Sequence, residues 1–275
     1  MTVREAPAAP ATTAVPATGK RPRRTGFAIL GGQVLLVAAV LAVVQQAVDS
    51  GRVKRIYLAS PTEVLAAYPA LFTEQNLLGN LLLTLGEAAA GASLALVFGV
   101  ATGVWMGLSR NAGTFLNPFV AALMAVPKVT IIPLLTLYLG IGAGHKIVIV
   151  FLFCYFLFVY NTIAGIKQVS ADHLKVARSF GASRAQLIRK VVLPSATTSI
   201  VAAIKVETGT ALVAALFAEI TASKGGLGNL LNRAVGVYDT ASVFALVLFT
   251  TVLSALIISG VGLLERRVLL RWKHS

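Results

Sequence analysis

Charge is scarce in this chain, and acidic charge scarcer still: 12% of its 275 residues are charged, with 10 Asp or Glu against 24 Lys or Arg. Soluble globular domains carry about a quarter charged residues, so this composition excludes one. A single cysteine, Cys154, lies inside the apolar run FLFCYFLFVY. That excludes a disulfide framework and a thiolate metal cluster and leaves Cys154 as a small packing residue. No G-x-x-x-x-G-K-[ST] stretch occurs, and the run TASKGGLG from Thr221 to Gly228 does not meet that pattern. The chain therefore lacks the glycine-rich loop that cradles nucleotide phosphates, and no nucleotide, metal or other cofactor is expected on it. The net charge of +14 does not indicate a nucleic-acid surface either, because the cations sit at the ends of apolar runs rather than along one face.

Apolar residues fill the space that charge leaves. With 57% hydrophobic residues and a mean hydropathy of +0.83, the chain reads as an integral membrane protein. A helix needs about 20 mainly apolar residues to cross the hydrocarbon core. Six runs meet that length, at 26–48, 79–108, 114–140, 145–166, 196–221 and 240–264. The expected fold class is an all-α membrane protein of about six transmembrane helices. Sixteen of the 24 Lys and Arg fall on the side that holds both ends of the chain, Arg110 and the 167–195 loop. The opposite side holds Arg52, Lys54, Arg55, Lys146, Lys224 and Arg233. By the positive-inside rule both termini and that loop are cytoplasmic.

Residues 1–25 are rich in Ala, Pro and Thr, end in a basic cluster at Lys20, Arg21, Arg23 and Arg24, and are expected as a disordered tail. A basic cluster before an apolar run also describes a signal peptide. The run from Gly26 to Val48 is long enough to span and is not followed by a small-residue cleavage site, which favours an uncleaved first span. Residues 26–78 then comprise that span and an extracytoplasmic segment, in which Ser60-Pro61-Thr62-Glu63 marks a helix start. A core of five spans follows over 79–265, and 266–275 form a basic cytoplasmic tail.

Several features lie inside the spans. Gly99, Gly103 and Gly107 repeat every four residues and line one helix face, either for ordinary packing or for a tight interface near moving parts. Pro118, Pro127 and Pro133 interrupt the third run, and broken helices in membranes usually line a cavity. Glu87, Lys128, Lys205, Glu207 and Glu219 are intramembrane charges and so are functional candidates by default. Glu219 reads either as a pathway residue or as a structural partner of Lys224 or of another subunit. Thr208 and Thr210 add hydroxyls to the same helix, free for a solute or bonded back to their own backbone. Pro127, Lys128, Thr208, Thr210 and Glu219 are the candidate translocation path.

The polar segment Lys167–Ser195 carries the sharpest signal. Leu174, Ala177, Ala182, Leu187 and Val191 fall on one helical face, and Lys175, Arg178, Arg184, Arg189 and Lys190 cover the rest. Short amphipathic helices outside the bilayer are expected, broken at Gly181, which suits a positive φ at a helix C-terminus. Pro194 suits the first turn of the next helix. Such a segment can rest on anionic headgroups or dock on a partner. Its order of Ala177, three residues, Gly181, nine residues, Val191, one residue, Leu193 and Pro194 resembles the EAA loop of membrane subunits of ATP-binding-cassette (ABC) importers. Asp172 lies just upstream, Lys175-Val176 stand where Glu-Ala is usual, and Ala182 follows the glycine.

The resemblance extends over about residues 57–265. Ala125-Val126-Pro127-Lys128, Ile132-Pro133-Leu134, Leu139-Gly140-Ile141-Gly142, Asn161-Thr162, Gly165-Ile166, Ala218-Glu219 and Gly226-Leu227-Gly228 are similar to permeases of the nitrate/sulfonate/taurine importer family. Glu87 stands where such permeases commonly carry a basic residue. The resemblance implies a type I importer fold with a cytoplasmic coupling helix, in the cytoplasmic (inner) membrane of a prokaryote, and no chemistry on this chain. It also implies two ABC ATPases that hold ATP and Mg, an extracytoplasmic solute-binding protein, a second permease subunit in a homodimer, and a small organic or inorganic anion as solute: a sulfonate, taurine, nitrate or an aromatic carboxylate. A secondary transporter built around Glu219 is the alternative, although the two halves of the chain show no symmetry-related repeat.

Overall fold

A computed structural model describes residues 24–272. The expected tail at 1–25 lies, but for Arg24 and Thr25, outside those residues, as does the end of the 266–275 segment. The described chain is helical throughout, with no strand among the described residues. Its helices are α1 (Arg24–Asp49), α2 (Pro61–Thr73), α3 (Leu77–Leu108), α4 (Arg110–Ala125), α5 (Ile132–Leu139), α6 (Ala143–Lys167), α7 (Ala171–Ser179), α8 (Arg184–Leu187), α9 (Leu193–Thr221), α10 (Leu227–Gly236) and α11 (Thr240–Trp272). Five continuous helical runs are long and apolar enough to span: α1, α3, α6, the run Arg184–Thr221 and α11. The third expected span is a pair, α4 and a 3₁₀ turn leading into α5, bent by 79°.

That bend follows from local chemistry. Val126 precedes a proline and is pushed out of the helical region to ψ 129, ending α4. Pro127 opens the 3₁₀ turn Lys128–Ile131, and Pro133 sits in the first turn of α5, where its missing N–H costs nothing. α2 begins where expected. Ser60 Oγ accepts from Glu63 N at 3.3 Å, and Ser60 N donates to the Glu63 carboxylate at 2.9 Å, closing a capping box. That backbone donor, seconded by the Ser60 side chain and Arg55, holds the Glu63 carboxyl below its ordinary range.

The core is α3 laid against α6, with α9 across both. Gly99 and Gly103 do face one way, and their neighbour is α6 of the same chain. A Cβ on Gly99 would stand 2.7 Å from Phe158 Cβ, and one on Gly103 would stand 2.7 Å from the Val159 carbonyl. Gly91 extends the stripe two repeats further, past Ala95, against Val150 and the Ile147 carbonyl. This is ordinary small-residue packing between two spans. Cys154 is fully buried in the same core with Ala95, Val150, Ala211 and Ala215. A second cluster joins α2, α3, α10 and α11 through Leu71, Leu77, Leu227, Leu230 and Leu246. α1 stands apart, its side chains from Ile29 to Val43 mostly exposed, as suits a lipid-facing helix.

Candidate functional site

At one end of the molecule the basic segment folds into a capped turn. Ser170 Oγ caps α7, which ends at Gly181 with φ +75. Ala182 N donates to the Ala177 carbonyl at 3.1 Å, the 6→1 bond of a Schellman turn. The positive φ expected of Gly181 is thus present. Ser183 and Gln186 then form a second capping box at the start of α8, legible in the sequence as Ser-x-x-Gln.

Beyond α8 the expectation of separate short helices followed by a span at 196–221 is corrected. The helix runs unbroken from Arg184 to Thr221 through a π turn at Ile188–Val192, with Leu193 N donating to the Ile188 carbonyl. Pro194 removes one donor, and the wider turn accommodates its ring without breaking the helix. Ser195 Oγ and Thr197 Oγ1 add donors to the carbonyls of Val191 and Leu193, at 2.7 and 2.9 Å. The extra residue shifts the buried face. Val192, rather than Val191, is buried with Ile166, Leu187 and Ala196, while Leu174, Ala177 and Ala182 pack against them half-buried.

The outward surface of this turn is apolar as well as basic. Phe180 is 87% exposed and Val176 55% exposed. Ala177, Phe180, Gly181, Gln186, Lys190 and Val191 line a shallow groove beside them. Asp172 and Lys175 form an exposed pair at 3.6 Å, which contributes little to stability. Helical spacing gives no sign of Phe180, because an apolar residue in an amphipathic segment reads as its buried face.

The opposite end is tied by buried polar groups. Glu219, expected either on the pathway or paired with Lys224 or another subunit, is fully buried and forms no ion pair with Lys224. Thr84 Oγ1 donates to its carboxylate at 2.8 Å, and Gly228 N donates at 2.8 Å. Leu227 N donates to Thr84 Oγ1 at 2.9 Å. Gly226 has φ +100, and a Cβ there would overlap the Glu219 carboxylate. Next to this, Glu87 faces Lys146 across 2.5 Å, both about 4% exposed, at an approach angle outside hydrogen-bond geometry. Lys146, counted from sequence among the surface cations, is buried and also donates to Ser223 Oγ at 3.1 Å. His145 Nε2 lies 2.9 Å from the Ala222 carbonyl.

Between the ends, the remaining path candidates fall in separate places. Lys128 Nζ donates to the Met124 carbonyl at 2.9 Å and lies 5.3 Å from the Phe156 ring centre, so it closes the end of α4 next to exposed Pro127. Thr208 and Thr210 turn their hydroxyls to the carbonyls of Ile204 and Val206. Lys205 pairs with Glu265 of α11 at 3.8 Å. Thr208 nonetheless lines a cavity of about 230 Å³ between α3, α6, α9 and α11, together with Glu207. Among the described residues no group of His, Cys, Asp and Glu is arranged to hold a metal ion.

Long apolar helices closed by a capped basic turn at one end and a buried polar tie at the other define a multi-pass helical membrane protein. The model of the family described as binding-protein-dependent transport system inner membrane component matches residues 95–270, and the chain belongs to that family. It is 31% identical over 259 residues to SsuC of Bacillus subtilis (strain 168), named as an aliphatic sulfonates transport permease protein, covering 94% of this chain and 93% of that one. It is 29% identical over 218 residues to the taurine transport system permease protein TauC of Escherichia coli (strain K12), covering 78% and 79%. An inward-facing structure of the MetNI methionine ABC transporter superposes with a TM-score of 0.63 at 19% identity, covering 71% of this chain and 97% of that one. The fold is that of a type I ABC importer permease.

Proposed function

We propose that this chain is the membrane subunit of an ABC importer that moves a small sulfonate inward, energised by ATPase subunits on other chains. The observation that carries the reading is the Gly181 turn, where a Schellman cap presents Phe180 and a groove to solvent at the end of an unbroken lever, α8 to α9. Phe180 and Val176 together with the groove form a contiguous apolar patch, which a partner surface would cover. The excess of Lys and Arg at this end supports a cytoplasmic loop and cytoplasmic termini. On this reading Asp172, Lys175, Val176, Ala177, Gly181, Ala182, Val191, Leu193 and Pro194 belong to the coupling loop of the 79–265 core. Two ATPases hold the nucleotide and Mg, a binding protein delivers solute to the other face, and a second copy completes the pathway.

Movement of α7 by the ATPases would pass through the capped turn into α9, because no flexible break separates Arg184 from Thr221. The solute class rests on the sulfonate and taurine permeases to which the chain is similar. A secondary transporter working through Glu219 is not favoured, since Thr84 and Gly228 already occupy that carboxylate. The test is co-purification with a cognate ABC ATPase. Phe180→Asp is expected to abolish the complex while leaving the thermal stability of the free subunit unchanged, since the side chain is exposed. An intact complex in that variant would contradict the reading.

A further inference from the structure

The inner side of the capped basic turn encloses a cavity of about 720 Å³ between the ends of α3 and α6 and the segment α7 to α8. That volume lies within the range of about 300–1,000 Å³ typical of small-molecule sites. Ile166, Leu174, Leu187 and Val192 supply apolar wall, and Lys167, Arg178 and Arg184 line the same space. The three cations come from three helices and are exposed. None of them forms an ion pair among the described residues. Asp172 is the one acid in the 167–195 segment, and it is turned to Lys175. Leu174 and Arg178 stand one turn apart on α7, so the cavity and the exposed Val176 use opposite faces of that helix. The cavity sits where two spans end, α3 at Leu108 and α6 at Lys167. Trp105, 60% exposed and one turn before the end of α3, marks the headgroup level, where tryptophans of membrane proteins gather.

We propose that this cavity holds the headgroup phosphate of an anionic phospholipid, with Lys167, Arg178 and Arg184 around the phosphate and the apolar wall against the glycerol backbone and first acyl carbons. Guanidinium groups suit a phosphate because their fixed fork of donors meets two of its oxygens at once. Basic pockets between spans are places where acidic lipid headgroups bind. A soluble phosphate would satisfy the cations but leave the apolar wall in water, and a zwitterionic headgroup would bring its own cation next to three others. The bound lipid would brace α7 and α8 against the ends of α3 and α6 from the inner side. Phe180 stays free on the outer side, so the site holds whether or not an ATPase binds there.

The test follows thermal unfolding of the full chain in detergent, titrated with phosphatidylglycerol, with phosphatidylcholine of the same acyl chains, and with glycerol phosphate, the headgroup fragment without chains. Phosphatidylglycerol is expected to raise the midpoint at mole fractions where phosphatidylcholine does not, and glycerol phosphate is not expected to replace it. Lys167→Gln, Arg178→Gln and Arg184→Gln are each expected to raise the half-saturating mole fraction of phosphatidylglycerol about fivefold, the scale of one cation beside an anionic headgroup. These side chains are exposed, so the variants are expected to stay folded. Arg189→Gln removes an exposed cation of the same segment that does not line the cavity, and it is expected to leave the response unchanged. Equal shifts with both lipids, no shift with either, a matching response to glycerol phosphate, or a loss in Arg189→Gln equal to that in Arg178→Gln would overturn the proposal. An unchanged lipid response in Arg178→Gln, with loss of the ATPase from the purified complex, would assign that cation to the ATPase contact and overturn it as well.

Discussion

Two glycines with positive φ separate steric from conformational cost at the residue scale. Gly140 and Gly226 have φ +76 and +100, but a Cβ on Gly140 meets nothing within 4 Å, whereas one on Gly226 lands on the Glu219 carboxylate. Gly140→Ala is expected to cost about 1–3 kcal/mol of backbone strain, since φ 76 with ψ 173 is a region that essentially only glycine adopts. Gly226→Ala is expected to cost more, because it also displaces the carboxylate that holds Thr84 and Gly228. Denaturation in detergent checks the order, and equal losses would contradict it. The buried pair of Glu87 and Lys146 behaves differently. Glu87→Met strands an ammonium in the core and is expected to destabilise by about 3–5 kcal/mol, whereas Glu87→Met with Lys146→Met is expected to recover most of the loss. A double variant no better than the single one would show that the pair has a role beyond mutual neutralisation. The sequence marks Glu87 and Glu219 as costly charges, yet their partners were not legible in it. Thr84 and Lys146 lie far from Glu219 and Glu87 along the chain, and only the packing of α3, α6 and α9 brings them together.

Elements in this protein are set by caps and breaks more than by apolar periodicity, since nearly every face of a membrane helix is apolar. The starts of α2 and α8 are written as Ser-x-x-Glu and Ser-x-x-Gln, and the end of α7 is written as Gly181. These local signals are satisfied within a few residues, which is why they can be read directly. The unbroken run through Pro194 is not local. Proline normally argues for a helix start, and only the π turn at Ile188–Val192 lets the chain carry it inside a longer helix. Gly103 shows the same dependence on context: its spacing reveals a packing face, while the identity of the partner, α6, comes from the fold. Gly103→Leu is expected to force α3 from α6, because its Cβ alone would sit 2.6 Å from Thr162 Cβ. Loss of monodisperse protein on size-exclusion chromatography would report it. Gly86→Leu, at a position with open space around it, is the control expected to stay folded. Normal elution of Gly103→Leu would mean that this contact is not tight.

Across the whole molecule, two polar centres lie at opposite ends of the spans: the capped basic turn and the Glu219 tie. The tie joins α3, α6, α9 and α10, so movement of α9 at one end meets a fixed point at the other. Membrane class, number of spans and the position of the turn follow from composition and spacing. The cavity between α3, α6, α9 and α11 does not, because its walls come from four helices that are distant in the chain. ATP-driven uptake tests the central claim most directly: the chain, a cognate ATPase and a loaded sulfonate-binding protein in sealed vesicles, with wild type compared to Gly181→Trp. The account predicts solute accumulation that requires ATP and binding protein and is lost in the variant. Accumulation that persists without ATP, or that Gly181→Trp leaves untouched, would contradict it.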